Sequence, residues 1–176
     1  MAATPQFGDL LAAARRQALH LEMRDSYAVP DEADDYQRWR ETGERDVDPE
    51  SSYWAPWVET VQKATARGVV MRRLRIISEP VSDYIRYEHA GAHVNVLAGE
   101  DIRWLPRHAT VGLLLPALDG WVFDDNALLH NHFTGDSTWG SPPLELHSDR
   151  SLVAGYVAAF ETAWERGIPH AHYQIR

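Results

Sequence analysis

The chain contains no cysteine. Disulfides, thiolate nucleophiles and cysteine-based zinc sites are therefore excluded. Lysine is nearly absent as well. Lys63 stands alone among 17 basic residues, so arginine carries almost all the positive charge. No run approaches the roughly 18 consecutive apolar residues of a membrane helix. The apolar stretch in Met1–Leu21 is interrupted by Asp9, Arg15 and Arg16. It lacks the basic, apolar and small-residue order of a signal peptide. Cytoplasmic residence without a membrane partner is the expectation. Also missing are a Gly-rich phosphate loop, a G-x-S-x-G elbow, an H-E-x-x-H pair and a zinc-finger pattern.

What is present fits one globular domain. A chain of 176 residues can bury one sizeable core. Seven tryptophans are many for this length, and their even spread marks them as packing anchors. The net charge of −9 argues against nucleic acid as a partner. That charge is uneven: residues 1–66 carry −6, residues 67–110 carry +2 and residues 111–176 carry −5. The positive third holds Arg67, Arg72, Arg73 and Arg75.

Periodicity divides the chain into elements. Leu10, Leu11, Ala14, Ala18, Leu19 and Leu21 recur at three- and four-residue steps, which predicts a helix over Phe7–Leu21. A second helix is predicted over Asp31–Glu41, with Asp31 as N-cap, and a third over Tyr53–Arg67, capped by Ser52 and ended by Gly68. At Val69 the period changes to two, and Val69–Ser78 reads as a strand. Ser82 then caps a helix running to about Val96 and ended by Gly99, and Glu100–Leu105 is a second strand. Gly112–Leu115 reads as a short strand. Trp121–Phe123 and Ala127–Phe133 form a strand–turn–strand around Asp124-Asp125-Asn126, residues that tolerate positive φ. Thr134–Pro143 reads as a loop and Leu144–His147 as another short strand. The last helix, Arg150–Arg166, is capped by Ser148 or Asp149 and ends at Gly167. The fold class is α/β (α+β): a mixed sheet with flanking helices over residues 69–176, preceded by an N-terminal cap of about three helices over residues 1–68.

Four groups of residues can carry chemistry. His130 with His132, and His170 with His172, are spaced so that a strand presents both imidazoles on one face. His89 and His93 lie four apart on a helix. Two-residue spacings fall short of the three or four ligands of a metal centre, and no metal or cofactor is expected. Arg72, Arg73 and Arg75 offer forks that suit carboxylates and phosphates, with the acidic first 66 residues as their ordinary partners. Glu79–Glu88 sits at a strand-to-helix junction, where open α/β sheets bind ligands. Asn131–Gly140 joins Phe133 and Trp139 to His132, Asp136 and Thr138 on a Gly-containing loop.

Several strings resemble one family of actinobacterial proteins with a domain of unknown function: HLEMRDSY, WRETG, RIISEPVSDYIRYEH, AGEDIRWLPR, DGWVFDD, NHFTGD and AWERGIPHAHY. Members are often encoded beside helix-turn-helix regulators, so the resemblance implies a regulatory or partner-binding role. The C-terminal half also resembles one phospholipase-D-like repeat, whose catalytic His-x-Lys-x4-Asp ends at such a hairpin. Asp124 would match the aspartate of that motif. The lysine position then holds Asp119 and the histidine position Ala117, so the family's catalysis is not implied.

The functional expectation is a non-enzymatic regulatory or ligand-sensing protein acting through a protein partner, a helix-turn-helix regulator by the resemblance. Its small-molecule site is expected between Ser82–Glu88, Trp104–Arg107 and Asn131–Trp139. Ser82, Tyr84, Arg86, Arg103, His132 and Asp136 would make polar contacts, with Trp104 and Trp139 as walls. The alternative is a His/Asp-dependent hydrolase or small tailoring enzyme of a biosynthetic cluster, using His89, His93, His130, His132 and Asp136.

Overall fold

The computed structural model describes residues 6–28 and 30–176. These residues form five α-helices and one seven-stranded mixed sheet. In chain order they are α1 (Phe7–Ala13), β1 (Gln17–Glu22), α2 (Pro30–Thr42), α3 (Ala55–Ala66), β2 (Val70–Ile77), α4 (Asp83–Ala98) and β3 (Glu100–Pro106). There follow β4 (Gly120–Phe123), β5 (Ala127–Phe133), β6 (Trp139–His147), α5 (Arg150–Arg166) and β7 (Ile168–Pro169). Across the sheet the order is β6-β5-β4-β1-β2-β3-β7. β1, β2 and β3 run parallel, and the others pair antiparallel with their neighbours. Among the described residues no helix is long and apolar enough to cross a membrane.

The two faces of the sheet differ in chemistry. One face carries Leu19, Leu21, Leu74, Ile76, Val122 and Leu128, packed under Val153, Phe160 and Trp164 of α5. Every one of these is buried, and Arg72 and Arg103 lie over the Phe160 and Trp164 rings within the same layer. Burial of this area supplies the ordinary hydrophobic stabilisation of the fold. The opposite face lies under α1, α2, α3 and α4. It has an apolar cluster at each end, around Met71 and Trp121 and around Ile77 and Trp104. Between them the register aligns His20 with Arg73 and Glu22 with Arg75. The period-two alternation of a strand therefore puts four polar side chains in the middle of a covered face.

The largest departure from the sequence reading is at β1. The helix expected over Phe7–Leu21 stops at Ala13, and Gln17–Glu22 becomes a strand in the middle of the sheet. Apolar residues in a short run satisfy both patterns, because a strand buried on both faces has no polar side to show. Asp124 makes the decision. Its carboxylate accepts the backbone N–H groups of Arg15 (2.8 Å), Arg16 (2.8 Å) and Gln17 (3.0 Å), fixing the entry into β1. Three N-terminal helices are present, with β1 inserted between the first and second, so residues 1–68 supply a central strand as well as helices.

Smaller differences have local causes. Gly112–Leu115, expected as a strand, is irregular and leaves Leu114 91% exposed, since no neighbouring strand pairs with it. The Thr134–Pro143 loop is shorter than expected, because β6 already begins at Trp139. Pro142 and Pro143 fit there because β6 is the sheet's edge, where a missing N–H breaks no ladder. Ser52 does not cap α3; Ser51 Oγ accepts from the Trp54 N–H instead. Asp31 lies inside the first turn of α2, which begins at Pro30. The caps at Ser82 and Asp149 are as expected, each accepting the N–H three residues on. The turn at Asp124-Asp125-Asn126 also forms, with positive φ at Asp124 and Asp125.

Asp124→Ala should therefore destabilise the fold by about 1.5–3 kcal/mol, because one carboxylate satisfies three backbone donors. Asp124→Asn, which keeps an acceptor and tolerates the positive φ, should recover part of that loss. Urea denaturation of the two variants measures the difference.

Candidate functional site

A cavity of about 590 Å³ opens over the polar strip of the helix-covered face. Its floor is formed by His20 and Glu22 of β1, Arg73 and Arg75 of β2, and Trp121 of β4. Glu32 on α2 and Tyr84 and Glu88 on α4 stand along one wall, with Tyr53, Trp54 and Trp57 along another. Tyr27, Phe133 and Trp139 form an aromatic rim, in which Phe133 stacks on Trp139 at 4.5 Å and meets Tyr27 edge-on at 5.0 Å. Gly91 lets α4 seat closely here, since a Cβ at that position would lie 2.9 Å from the Trp54 ring and 3.0 Å from Arg45.

The arginines at the floor are each ion-paired, although Arg75 Nε makes no hydrogen bond. Arg73 donates to Glu100 through Nε (2.9 Å) and lies 3.3 Å from Glu22. Arg75 sits between Glu22 (2.7 Å) and Glu88. Arg45 pairs with Asp35 and lies 3.9 Å over the Tyr87 ring. The acidic first 66 residues, expected to supply these partners, supply Glu22 and Asp35, whereas Glu88 and Glu100 come from later in the chain. Arg72 points to the other face and pairs with Glu161. Buried guanidinium groups need such partners, because an unpaired charge in a low dielectric carries a large desolvation penalty.

His20 is different. It is 6% exposed and stacks flat on Trp121 at 4.0 Å, yet neither ring nitrogen has a hydrogen-bond partner. Its nearest carboxylate, on Glu22, is 3.8 Å away. Burial, reinforced by the charges of Arg73 and Arg75, pushes its pKa well below the usual imidazole range. The ring is therefore neutral, with one donor and one acceptor nitrogen unused. Asn131 Oδ1, on the same cavity wall, is also buried and unpartnered. Native interiors rarely leave such atoms unsatisfied.

Two carboxyls of the cavity are held close to neutrality. Burial first, and the neighbouring Glu88 second, push Glu32 up to about 7; the Tyr84 hydroxyl donates to it at 2.6 Å. Burial, with the charge of Glu22, raises Asp119 to about 6 against the hydrogen bonds it accepts from Tyr27 and from the Met23 N–H. Asp119 is 5% exposed and also lines a smaller adjoining cavity with Arg107 and the 115–118 segment.

Of the residues expected from sequence to make the site, Tyr84 and Trp139 line this cavity. Ser82 is taken up as the α4 cap and donates to the Asp25 carbonyl at 2.5 Å. Arg86 and Asp136 are exposed, the latter in the turn before β6. Arg103 projects from the opposite face onto the Trp164 ring at 4.4 Å. Trp104 is fully buried beneath Tyr173. His132 faces Glu145 at 3.0 Å on the outer part of the sheet. The residues of the hydrolase alternative do not converge. His89 packs on Trp104 and His170, whereas His130 packs on His147 and on Tyr156 of α5, across the sheet. Among the described residues no group of three or more histidines and carboxylates has a metal-holding geometry.

Sequence reasoning missed His20, Glu22, Glu32 and Asp119, whereas Asn131 opens the Asn131–Trp139 segment expected at the site. A signal existed in His20-Leu21-Glu22 beside Arg73-Leu74-Arg75: two period-two polar pairs in largely apolar runs. Reading Phe7–Leu21 as helix hid the first pair.

The chain belongs to the family described as Domain of unknown function (DUF6879), which matches residues 5–175. No curated protein matches in sequence. Among solved structures the chain is similar to a phospholipase D family member, Nuc from Salmonella typhimurium, with a TM-score of 0.53 and 11% identity. The match covers 92% of this chain and 86% of that one, so the likeness is one of fold. Asp124, which sequence order sets against the phospholipase aspartate, serves the backbone of residues 15–17 rather than the cavity.

The elevated carboxyls have a measurable consequence. Glu32 binds its proton more tightly in the folded chain (about 7) than at its ordinary value of 4.5. Its contribution to stability is thus full below pH 4.5 and lost as pH rises through about 7. Glu32→Gln removes that loss. The variant should match the wild type near pH 4.5 and exceed it by about 3 kcal/mol at about pH 8, read from urea midpoints at the two pH values.

Proposed function

We propose that this member of the family is a ligand-sensing regulatory protein, that its ligand binds in the cavity above His20, and that occupancy is reported to a protein partner. The observation that carries the reading is a neutral, nine-tenths-buried imidazole with two unpartnered nitrogens facing a cavity of about 590 Å³. Such a group lowers the stability of the protein unless something hydrogen-bonds to it, and a cavity of this size accommodates a small molecule.

The partner half of the reading is supported by the segment after β3. Val111 is 80% exposed and Leu114 91%, and Leu115 of the same segment lines the cavity adjoining Asp119. Exposed apolar side chains beside a ligand wall suit a docking surface whose shape follows occupancy. A helix-turn-helix regulator, the kind of protein the sequence resemblance associates with the family, is the proposed partner. Catalysis has less behind it, because the histidines available for a hydrolase lie on opposite faces of the sheet.

Thermal-shift screening against a metabolite panel, followed by calorimetry, tests the site. At least one compound should raise the melting temperature of the wild type and leave His20→Leu unmoved. The leucine removes the unsatisfied nitrogens, so the variant itself should be at least as stable as the wild type. Equal responses of both proteins to every compound would overturn the reading. Leu114→Ser should weaken binding to a purified helix-turn-helix regulator, the proposed partner, without altering ligand affinity.

A further inference from the structure

Charge in and around the cavity is out of balance. Arg45, Arg73 and Arg75 line it, with Arg38 paired to Asp35 and Arg24 over the Phe133 ring beside them, and the carboxyls in and around it are Glu22, Asp31, Glu32, Asp35, Glu88, Glu100 and Asp119. Seven carboxyls thus meet five cations. Arg45, Arg73 and Arg75 are each already ion-paired with a carboxylate. An anion would have to displace an existing pair and would add to the negative excess.

Besides the unbonded Nε and Nη1 of Arg45 and Nε of Arg75, which sit within ion pairs, the groups left for a ligand include several acceptors. They are the acceptor nitrogen of His20, Asn131 Oδ1, and the carboxyls of Glu32 and Asp119, which each hold a tyrosine hydroxyl. Around them stand aromatic rings: Trp121 on the floor, and Tyr27, Phe133 and Trp139 at the rim. Acceptors with excess negative charge inside an aromatic enclosure are the reverse of a phosphate site and suit a positively charged N–H donor.

We propose that the cavity binds a small organic cation bearing N–H donors, an amidine, guanidine or amine on a flat body, with its charged end received by Glu32, Asp119, His20 and Asn131 and its body held by the aromatic rim. The inference rests on the cavity being the ligand site and names the class of ligand it takes. The cation supplies the charge that the floor lacks. The network of Arg73 and Arg75 has a second part in this: by engaging Glu22, Glu88 and Glu100 it leaves Glu32 and Asp119 as acidic groups without a guanidinium of their own.

Three probes of nearly one shape separate the charge classes. Benzamidine is a cation, benzamide its neutral counterpart and benzoate an anion. In calorimetry and tryptophan fluorescence, benzamidine should saturate the full-length protein below about 10 mM, benzamide should bind at least about tenfold more weakly, and benzoate should not bind. Asp119→Asn and Glu32→Gln should each weaken benzamidine by about tenfold or more, while urea denaturation shows both variants folded. Benzoate or benzamide binding as tightly as benzamidine, or benzamidine indifferent to both carboxyl variants, overturns the assignment. So does failure of all three probes. If a compound from the metabolite panel still binds in a His20-dependent way, that result refutes the cation alone and leaves the site standing. If no compound distinguishes His20→Leu from the wild type, the site itself falls.

Discussion

The buried ion network on the helix-covered face is the constraint around which this protein is arranged. Glu22 on β1 reaches both Arg73 and Arg75 on β2, Glu100 on β3 holds Arg73 from the far side, and Glu88 on α4 holds Arg75 from above. Three adjacent parallel strands and one covering helix are thereby tied through two guanidinium groups. Removing any one member would strand a charge in a low-dielectric interior, so the network has to be complete to be tolerable. Its members must also occupy alternate strand positions, which fixes the register of β1 against β2 and of β2 against β3.

That network also explains why the cavity is there. A row of charged side chains cannot be packed against by leucine and valine as the α5 face is. The helices above it meet it instead with Glu88, Glu32, Tyr84, Tyr53 and Trp57, whose large and polar side chains leave space between them. Burial beneath these helices, with Glu88 and Glu22 nearby, raises the affinity of Glu32 and Asp119 for protons. Burial, helped by the charges of Arg73 and Arg75, keeps the His20 ring neutral. Burial first and the arrangement of charges second therefore shift three cavity groups toward their neutral forms.

The likeness in fold to a phospholipase D family member takes on meaning beside these details. The hairpin β4–β5 has an aspartate, Asp124, in its turn. That aspartate collects three backbone donors from the entry of β1 and acts as structure. Asp119, just before β4, turns into the cavity and accepts the Tyr27 hydroxyl. The likeness is therefore one of strand order and packing.

Much of the architecture was legible from the chain alone. Period two in Val69–Ser78, the Ser82 and Asp149 caps, Gly68, Gly99 and the Asp124-Asp125-Asn126 turn are local signals, and local energetics decide them. Absence of cysteine and shortage of lysine were equally direct: they ruled out thiol chemistry and made arginine the buried cation. Tertiary structure decided the rest. Gln17–Glu22 is strand rather than helix because β2 and β4 flank it and Asp124 holds its start, contacts more than a hundred residues apart in part. Tyr84 and Trp139, singled out in the sequence, line the cavity, but His20, Glu32 and Asp119 were not singled out, since a side chain's solvation and its partners follow from which face it occupies and what covers that face. Sequence spacing specifies the alternation of a strand; only the packed sheet specifies which side of that alternation meets a helix, which meets a charge, and which is left facing a cavity.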